Sequence, residues 1–232
     1  YLATLNSADA GIMVSASHNP FYDNGIKIFN SFGYKLDTAE EKRIEKLIHN
    51  PAEGFSPAPA EKIGAITSMA DAKEHYISFL KESLGEINNL KGMRLVIDCS
   101  NGAASTIAPR VFSELGASVT AICNSPNGIN INENCGSQHI ENMQDTVLKE
   151  GADAGLAFDG DGDRLIAVDE NGEPVTGDHI LAICANQMKK AGKLKNNLVV
   201  STVMSNLGLI NALKKMNISH ILTDVGDRYV LD

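Results

Sequence analysis

The clearest structural signal in the sequence is Ala154-Gly-Leu-Ala-Phe-Asp159-Gly-Asp161-Gly-Asp163-Arg164-Leu-Ile-Ala-Val168. Its apolar ends predict two short strands, at 154–158 and 165–168, joined by a loop of aspartate and glycine. Strand and helix patterns alternate on both sides of this stretch. Strands are predicted at 94–97, 118–122, 198–203 and 220–223, and helices at 104–115, 141–150, 178–190 and 206–216. This alternation predicts parallel pairing with right-handed crossovers, and therefore an α/β fold.

The N-terminal part predicts a smaller unit of similar build. Residues 11–14 and 26–29 have strand patterns on either side of a polar loop. Thr38 with Glu41 predicts a capping box for the helix that follows. Residues 51–68 are rich in Pro, Ala, Gly and Ser and predict a linker, with a further helix at 71–84. We therefore expect successive α/β domains with mixed, largely parallel sheets flanked by helices.

The aspartate-rich loop places three carboxylates at alternate positions. Without a cation between them, Asp159, Asp161 and Asp163 would repel one another. The intervening glycines allow the backbone to fold tightly, so that the three side chains converge on one point. Convergent carboxylate oxygens suit magnesium, and Arg164 is well placed to neutralise a phosphate beside it.

Two other interpretations of this loop stay open, although the metal–phosphate site is favoured over both. A calcium loop would use the three aspartates and Glu170 at its first, third, fifth and twelfth positions. Its sixth position would then be Arg164 instead of glycine, and its flanks predict strands instead of helices. The other interpretation is a solvated acidic turn.

A second polar loop, Ser15-Ala-Ser-His-Asn-Pro20, leaves a predicted strand at its C-terminal end, where α/β proteins build their sites. Ser17 beside His18 combines a hydroxyl with a basic or donor neighbour, which suits a nucleophile. Ser17 or Asn19 would serve equally well as the cap of a helix or turn. A hydrolase triad is not indicated, because the sequence has no G-x-S-x-G elbow.

The net charge and the cysteine content limit which binding partners and which cellular location are expected. The formal net charge is -9, which argues against nucleic acid or an acidic membrane surface. The four cysteines form no C-x-x-C pair, so neither a zinc site nor a disulfide framework is indicated, and a cytoplasmic location is expected. The longest apolar run, 180–185, is too short to span a bilayer. Because residue 1 is Tyr and no helix stop follows 228–232, we expect a segment of a longer protein.

Three motifs together carry a family resemblance: Ser15-Ala-Ser-His-Asn-Pro20, Asp23-Asn-Gly-Ile-Lys27 and Asp159-Gly-Asp-Gly-Asp-Arg164. In this order and separation they resemble the α-phosphohexomutase superfamily, and the resemblance runs essentially from end to end. Two further stretches resemble the branch that acts on glucosamine phosphates. They are Asn127-Gly-Ile-Asn-Ile-Asn132 with Cys135-Gly-Ser137, and Val225-Gly-Asp-Arg-Tyr-Val230.

The resemblance implies a metal and a phosphorylated serine. Ser17 matches the serine that carries the phosphoryl group in the active enzyme. The implied ligands of one Mg²⁺ are a phosphoryl oxygen on Ser17 and the carboxylates of Asp159, Asp161 and Asp163. The resemblance thus assigns the two polar loops to one site.

The resemblance also implies roles for the remaining polar residues. Arg164 matches a cation near the phosphoserine, and Lys27 matches a lysine for proton transfer or charge stabilisation. His18 joins these catalytic residues and, together with Asn19, shapes the serine loop. On the substrate side, the implied residues are Asn19 and Arg228.

Four domains surround a cleft in this family, which implies an incomplete set here. Residues 1–65 match the C-terminal part of the first domain with the phosphoserine loop, and 66–172 match the complete second domain with the metal loop. Residues 173–232 match the N-terminal part of the third. The sugar-selecting Gly-Glu-x-Ser-Gly-His loop and the fourth domain have no counterpart, so we expect the segment alone to be inactive.

The implied reaction moves a phosphoryl group between two hydroxyls of a hexose phosphate. It interconverts glucosamine 6-phosphate and glucosamine 1-phosphate through glucosamine 1,6-bisphosphate, which also acts as activator, and it feeds UDP-N-acetylglucosamine synthesis. The same chemistry on glucose or mannose phosphates, a magnesium-dependent phosphatase and a binding module without turnover stay open. The expected partner is a small phosphosugar, with neither nucleic acid nor a membrane. A homodimer stays open, because the sequence does not fix the oligomeric state.

Overall fold

A computed structural model describes residues 1–50, 54, 56–85 and 89–231, without the side chains of residues 227 and 228. The strands are β1 Ala10–Ser15, β2 Gly25–Asn30, β3 Arg94–Asp98, β4 Ser118–Ile122, β5 Ala154–Phe158, β6 Leu165–Val168, β7 Pro174–Val175, β8 Leu198–Thr202 and β9 Ser219–Thr223. The α-helices are α1 Leu2–Leu5, α2 Thr38–His49, α3 Ala72–Ser83, α4 Ala108–Glu114, α5 Glu141–Glu150, α6 Gly177–Lys190, α7 Leu207–Lys215 and α8 Asp227–Leu231. Short 3₁₀ helices span Ala60–Lys62, Ala103–Thr106, Gly136–Gln138 and Lys195–Asn197. In the described part of the chain, no helix has the length and apolar character needed to cross a bilayer.

The central sheet has the strand order β4-β3-β5-β6-β7. Strand β3 pairs in parallel with both β4 and β5, whereas β5–β6 and β6–β7 are antiparallel. Strands β8 and β9 form a parallel pair, and β1 and β2 an antiparallel pair. The expected α/β build with mixed sheets is therefore confirmed.

The expectation of largely parallel sheets was too strong, because antiparallel pairings are as numerous as parallel ones among the described strands. The aspartate-rich loop supplies the physical reason. A parallel connection needs a crossover of roughly a dozen residues or more, and residues 159–164 are too few for one. Strand β6 therefore turns back directly along β5, and the loop becomes the tip of a hairpin.

The core lies on both faces of the central sheet. On one face, Leu95 and Ile97 of β3 pack against Ala108 at the start of α4. On the other face, Val96 packs with Met143 and Val147 of α5. A strand covered by helices on both sides reads as a continuous apolar run, as residues 95–97 do. The sheet is thus a rigid support for the loops at its edge.

Two helix starts differ from the sequence expectation. Helix α2 is capped by Asp37, whose carboxylate accepts hydrogen bonds from the backbone N–H groups of Ala39 and Glu40, both at 2.9 Å. Thr38 is already the first helical residue, so it does not form the predicted capping box. The helix predicted at 104–115 begins as the 3₁₀ turn Ala103–Thr106, and α4 starts only beside Pro109. Proline lacks an N–H donor and is favoured in a first helical turn.

The predicted linker at 51–68 falls partly outside the described residues, which omit 51–53 and 55. Within its described part, residues 56–68 are exposed and contain the 3₁₀ turn Ala60–Lys62. The domain boundaries at 65 and 172 stay predictions.

We predict that Gly155→Ala destabilises the chain by about 1–3 kcal/mol, because the core has no room for an added methyl group. A Cβ at Gly155 would lie 2.7 Å from Val168 Cγ2 and 2.8 Å from both Met143 Cγ and Val147 Cγ2. The measurement is the free energy of unfolding in urea. Gly177→Ala is the matched control, because a Cβ there meets nothing within 4 Å. Equal loss of stability in both variants would contradict the packing described for this face.

Candidate active site

The tip of the β5–β6 hairpin holds the aspartate-rich loop in a tight turn. Asp159 N–H donates to the Arg164 carbonyl oxygen at 3.3 Å, and Arg164 N–H donates back to Asp159 Oδ1 at 3.1 Å. Gly162 N–H donates to the Asp159 carbonyl oxygen at 3.1 Å. Gly162 has φ +74, in the left-handed region that glycine adopts without steric cost. These contacts turn the three aspartates toward one another.

The three carboxylates offer oxygens that lie within 4.8 Å of one another. Asp159 is fully buried, and neither its Oδ2 nor Asp161 Oδ1 has a hydrogen-bond partner among the described residues. A buried carboxylate oxygen without a partner is costly, so these two oxygens are suited to bind a cation. An all-oxygen set of this kind fits a hard divalent cation such as Mg²⁺.

The other oxygens of these carboxylates are held by the protein. Asp161 Oδ2 accepts hydrogen bonds from Ser15 Oγ at 2.7 Å and Lys27 Nζ at 2.6 Å. Lys27 also reaches Asp163 Oδ2 at 3.3 Å. Because Asp159 Oδ1 is held by Arg164 N–H, each of the two buried carboxylates has one oxygen fixed and one oxygen available. This orients the available oxygens before any ion binds.

The pKa values of two carboxyl groups in the cluster shift in opposite directions. Burial raises the pKa of Asp159, and the charges of Asp163 and Asp161 raise it further, although the Arg164 N–H bond opposes this. Burial also acts to raise the pKa of Asp161, but the hydrogen bonds from Lys27 and Ser15 outweigh it and the pKa is lowered. The hydrogen bond to Asp161 raises the pKa of Lys27 against the effect of burial. Lys27 therefore remains a cation at neutral pH and stabilises charge.

The serine loop lies beside this cluster. Ser17 is half-buried, with its N–H donating to Ser15 Oγ at 2.8 Å and its Oγ 3.4 Å from His18 Nδ1. Ser15 thus connects the two loops, because its hydroxyl accepts from Ser17 and donates to Asp161. Ser15 lies in the Ser15–Pro20 motif, but its bridging role was not predicted from the sequence.

A backbone contact joins the serine loop (residues 15–20) to the aspartate-rich loop (residues 159–164). Gly160 N–H donates to the Ser17 carbonyl oxygen at 3.1 Å. A Cβ at Gly160 would lie 2.4 Å from that same oxygen and 2.8 Å from Asn132 Nδ2. Glycine at 160 is therefore required by close approach, whereas Gly162 is suited to its backbone angle. Asn132, which donates to the carbonyl oxygens of Ser17 and Asn19, is a second contact that sequence reasoning missed.

The side chains of the remaining predicted site residues have no described contacts with the aspartate cluster. The Arg164 side chain is exposed and makes no hydrogen bond or ion pair with the described residues, so it is free to meet a ligand. Asn19 is exposed on the serine loop, and its carbonyl oxygen takes part in the contact with Asn132. Arg228 lies in α8, and its side chain is outside the described part of the chain.

The two alternative interpretations of the aspartate-rich loop do not fit this geometry. A calcium loop needs Glu170 near the aspartates, but the four-residue strand β6 separates them by roughly 13 Å. Strands flank the loop on both sides, as Phe158 pairs with Leu165. A solvated turn is excluded because Asp159 is 0% exposed.

A second group of metal-ligand side chains, Asp98, Cys123 and Cys135, differs from the aspartate cluster. Both oxygens of the buried Asp98 carboxylate already accept backbone N–H bonds, from Ser100 at 2.9 Å and Gly136 at 3.0 Å. Burial raises the pKa of both thiols, which keeps them protonated. The group is therefore explained as a support for the loops without an ion, and all four cysteines are free.

Three family models match successive parts of the chain. They are phosphoglucomutase/phosphomannomutase alpha/beta/alpha domain I at residues 1–54, domain II at 74–172 and domain III at 176–232. Each polar loop falls inside a matched range, the serine loop in domain I and the metal loop in domain II.

Similar proteins agree with these models. The chain is 55% identical over its full length to the phosphoglucosamine mutase of Syntrophus aciditrophicus, of which it covers 52%. It is 51% identical to that of Acetivibrio thermocellus and 55% to that of Thermoanaerobacter sp. strain X514, covering 51% of each. The chain thus spans about half the length of the relatives it matches.

Solved structures share the fold. A phosphoglucomutase/phosphomannomutase family protein from Burkholderia thailandensis has a TM-score of 0.77 at 26% identity, with 96% of this chain and 46% of that chain covered. A phosphomannomutase-like protein from Thermus thermophilus has a TM-score of 0.75 at 21% identity, with 97% and 51% covered. At 21% identity the second likeness concerns the fold alone.

We predict that Asp159→Asn weakens Mg²⁺ or Mn²⁺ binding by roughly tenfold or more, because it removes a negative charge and, with the amide oxygen accepting the Arg164 N–H bond, turns an NH₂ group toward the ion. Asparagine can still accept the Arg164 N–H bond, so the loop itself should persist. Isothermal titration of the purified chain measures the affinity. Asp145→Asn on α5 is the matched control, because it removes the same charge from an exposed position. Unchanged affinity in Asp159→Asn would show that the cluster is not a metal site.

Proposed function

The chain belongs to the phosphoglucomutase/phosphomannomutase family, and on that premise we propose that it carries the catalytic loops of a phosphoglucosamine mutase. The enzyme would interconvert glucosamine 6-phosphate and glucosamine 1-phosphate through a phosphoserine at Ser17. The observation that carries this proposal is the contact between the serine loop and the aspartate cluster. Ser15 Oγ donates to Asp161 Oδ2, and Gly160 N–H donates to the Ser17 carbonyl oxygen, so two loops far apart in sequence lie against each other; this supports a serine nucleophile next to a bound divalent cation.

A cation fits the site and belongs to the proposal. Asp159, Asp161 and Asp163 would hold Mg²⁺, together with a phosphoryl oxygen on Ser17. When bound, the ion neutralises charge on the phosphoryl oxygens. Phosphoryl transfer depends mainly on such neutralisation and on positioning, which is what the loops supply.

The chain's own residues provide the rest of the chemistry. In the first step the bond between phosphorus and Ser17 Oγ breaks, and a bond from phosphorus to the free sugar hydroxyl forms. The sugar hydroxyl loses its proton as it bonds to phosphorus, and Ser17 Oγ takes one up as it leaves. His18 Nδ1, 3.4 Å from Ser17 Oγ, would give Ser17 this proton and be reprotonated by the proton that the sugar hydroxyl releases. Lys27 remains cationic and stabilises the charge of Asp161, so we favour charge stabilisation over proton transfer for it. The exposed Arg164 guanidinium is suited to bidentate contact with the phosphoryl group.

The second step reverses the first with the other end of the sugar. The resulting glucosamine 1,6-bisphosphate turns in the cleft and returns its other phosphoryl group to Ser17. The sum is an isomerisation that regenerates the phosphoenzyme, and added bisphosphate serves as activator by phosphorylating Ser17. Asn19 and Arg228 are proposed to face the sugar phosphate.

The choice of sugar rests on the relatives. Phosphoglucosamine mutases from several bacteria are 48–55% identical to the chain, which favours glucosamine over glucose or mannose phosphates. We accordingly propose a cytoplasmic enzyme that supplies glucosamine 1-phosphate for UDP-N-acetylglucosamine, a peptidoglycan precursor. A small phosphosugar is its proposed partner, with neither nucleic acid nor a membrane, and a homodimer stays a prediction.

We predict that the full-length protein containing this chain turns over glucosamine 6-phosphate faster than glucose or mannose 6-phosphate. Activity should need Mg²⁺ and a trace of bisphosphate, and Ser17→Ala should abolish it, because alanine cannot carry the phosphoryl group. Initial rates with the three sugars give the preference. A preference for glucose or mannose would keep the mechanism but change the sugar.

Release of inorganic phosphate without isomerisation would replace the mutase with a magnesium-dependent phosphatase. Isomerase activity that survives Ser17→Ala would overturn the phosphoserine route. A stable phosphoryl group on Ser17 without any turnover would favour a binding module.

We also predict that residues 1–232 alone do not turn over glucosamine 6-phosphate. The chain holds the transferring loops but spans about half the length of its relatives, so groups that grip the distal phosphate are expected elsewhere. The same preparation should still accept a phosphoryl group on Ser17 from a hexose 1,6-bisphosphate, which mass spectrometry detects. Full turnover by this chain would contradict the proposal that groups outside it bind the distal phosphate.

A further inference from the structure

Ser17 has a backbone conformation that needs support. Its φ is +51, in the left-handed region, which costs a residue with a Cβ roughly 1–2 kcal/mol. Strain of this kind persists only where surrounding contacts hold it in place. The contacts of the Ser17 backbone are therefore part of how the nucleophile is presented.

Those contacts come both from the serine loop itself and from residues far away in the sequence. Ser17 N–H donates to Ser15 Oγ at 2.8 Å. The Ser17 carbonyl oxygen accepts two hydrogen bonds, from Gly160 N–H at 3.1 Å and from Asn132 Nδ2 at 2.9 Å. Of the two bonds to the Ser17 carbonyl oxygen, only the one from Asn132 comes from a side chain, so it can be removed without altering the nucleophile or the aspartate-rich loop.

The Asn132 amide holds two points of the serine loop at once. Its Nδ2 donates to the Ser17 carbonyl oxygen at 2.9 Å and to the Asn19 carbonyl oxygen at 2.8 Å. Because both partners are acceptors, the NH₂ group must face them, and the opposite orientation of the amide is excluded. Both N–H groups are used, one on each side of His18. The amide therefore fixes the direction in which this turn faces.

Asn132 is itself anchored in the domain that carries the metal loop. Its own N–H donates to the Ser100 carbonyl oxygen at 2.8 Å, just beyond the end of β3. The amide also fills the space left by the missing side chain of Gly160, where a Cβ would lie 2.8 Å from Nδ2. Asn132 thus transmits the position of the central sheet to the serine loop.

We propose that Asn132 is a positioning residue, which aligns Ser17 for phosphoryl transfer by holding the carbonyl oxygens of Ser17 and Asn19. The inference rests on the proposed function. It deepens that function by assigning a role to the end of the Asn127–Asn132 motif. The Asn132 side chain makes no hydrogen bond to Ser17 Oγ or to the three aspartates, so it acts through the geometry of the loop.

A positioning role has a particular kinetic signature. Misplacing a reacting atom by about 1 Å can reduce the rate by roughly 100-fold. Loss of the Asn132 amide should therefore lower kcat by about 10- to 100-fold, while KM for the sugar phosphate and the affinity for Mn²⁺ stay within about twofold. Damage to the metal site or to folding would instead change the metal affinity.

Two variants of the full-length protein test this. Asn132→Asp is nearly isosteric but places a carboxylate oxygen against two carbonyl oxygens, so both hydrogen bonds become repulsive contacts. Asn132→Gly removes the amide and suits the φ of +57 at this position, which protects the backbone if the first variant fails to fold. Asn134→Asp is the matched control, because it makes the same change at an exposed residue with φ +51 and no side-chain hydrogen bond to the described residues.

The measurements are kcat and KM for glucosamine 6-phosphate, Mn²⁺ affinity, and the single-turnover rate of Ser17 phosphorylation by the 1,6-bisphosphate. We expect slower phosphorylation and a lower kcat in both Asn132 variants, with unchanged Mn²⁺ affinity and a control like wild type. Wild-type rates in either folded Asn132 variant would overturn the inference and leave the proposed function intact. A parallel loss of Mn²⁺ affinity would also overturn it, because Asn132 would then support the metal site. Absence of phosphorylation in the wild type itself would instead refute the proposed function.

Discussion

The site depends on one close approach of backbone to backbone, that of residue 160 to residue 17. Both main-chain polar groups of Gly160 form hydrogen bonds. Its N–H donates to the Ser17 carbonyl oxygen, and its carbonyl oxygen accepts from Ala103 N–H at 2.8 Å. Neither side of this junction tolerates a side chain. A Cβ at Gly102 would lie 2.2 Å from the Gly160 carbonyl oxygen, and a Cβ at Gly160 would lie 2.4 Å from that of Ser17. Three loops therefore meet through their main chains, and the reactive side chains project from the junction.

The central sheet explains why this junction can be held so closely. Residues 95–97 are covered on both faces, and the loops that follow β3 and β5 leave the same edge because these strands are parallel. Asp98 ends β3 fully buried and uses both carboxylate oxygens to hold the turns at Ser100 and Gly136. Burial of that carboxylate is unfavourable, as its raised pKa indicates, and it is offset by the two hydrogen bonds that order the loops. Buried polar contacts beneath the site thus hold the surrounding loops in place.

Most of the secondary structure could be predicted because it is local. The strands on either side of the aspartate-rich loop were predicted at the residues where they occur, since each is a short apolar run ended by polar residues. The cap of α2 was misplaced by one residue because Asp37 and Thr38 are both good capping residues, and only the backbone decides between them. The roles of Ser15 and Asn132 could not be predicted, because each depends on contacts between loops more than 100 residues apart. Packing of this kind leaves no periodic pattern in the sequence.

The charges at the site account for the different roles of Lys27 and Arg164. Three carboxylates and the single ammonium of Lys27 leave a net charge of about -2, which one divalent cation would neutralise. Such a neutral cluster has no net positive charge to balance the dianionic phosphoryl group of the proposed phosphoserine, even with the ion in contact with one of its oxygens. That compensation must come from a cation that no carboxylate already holds. The Arg164 guanidinium, exposed and unpaired among the described residues, meets this requirement, whereas Lys27 is already bound to Asp161 and Asp163. Lys27 therefore belongs to the aspartate cluster, and Arg164 is left for the phosphoryl group of the proposed reaction.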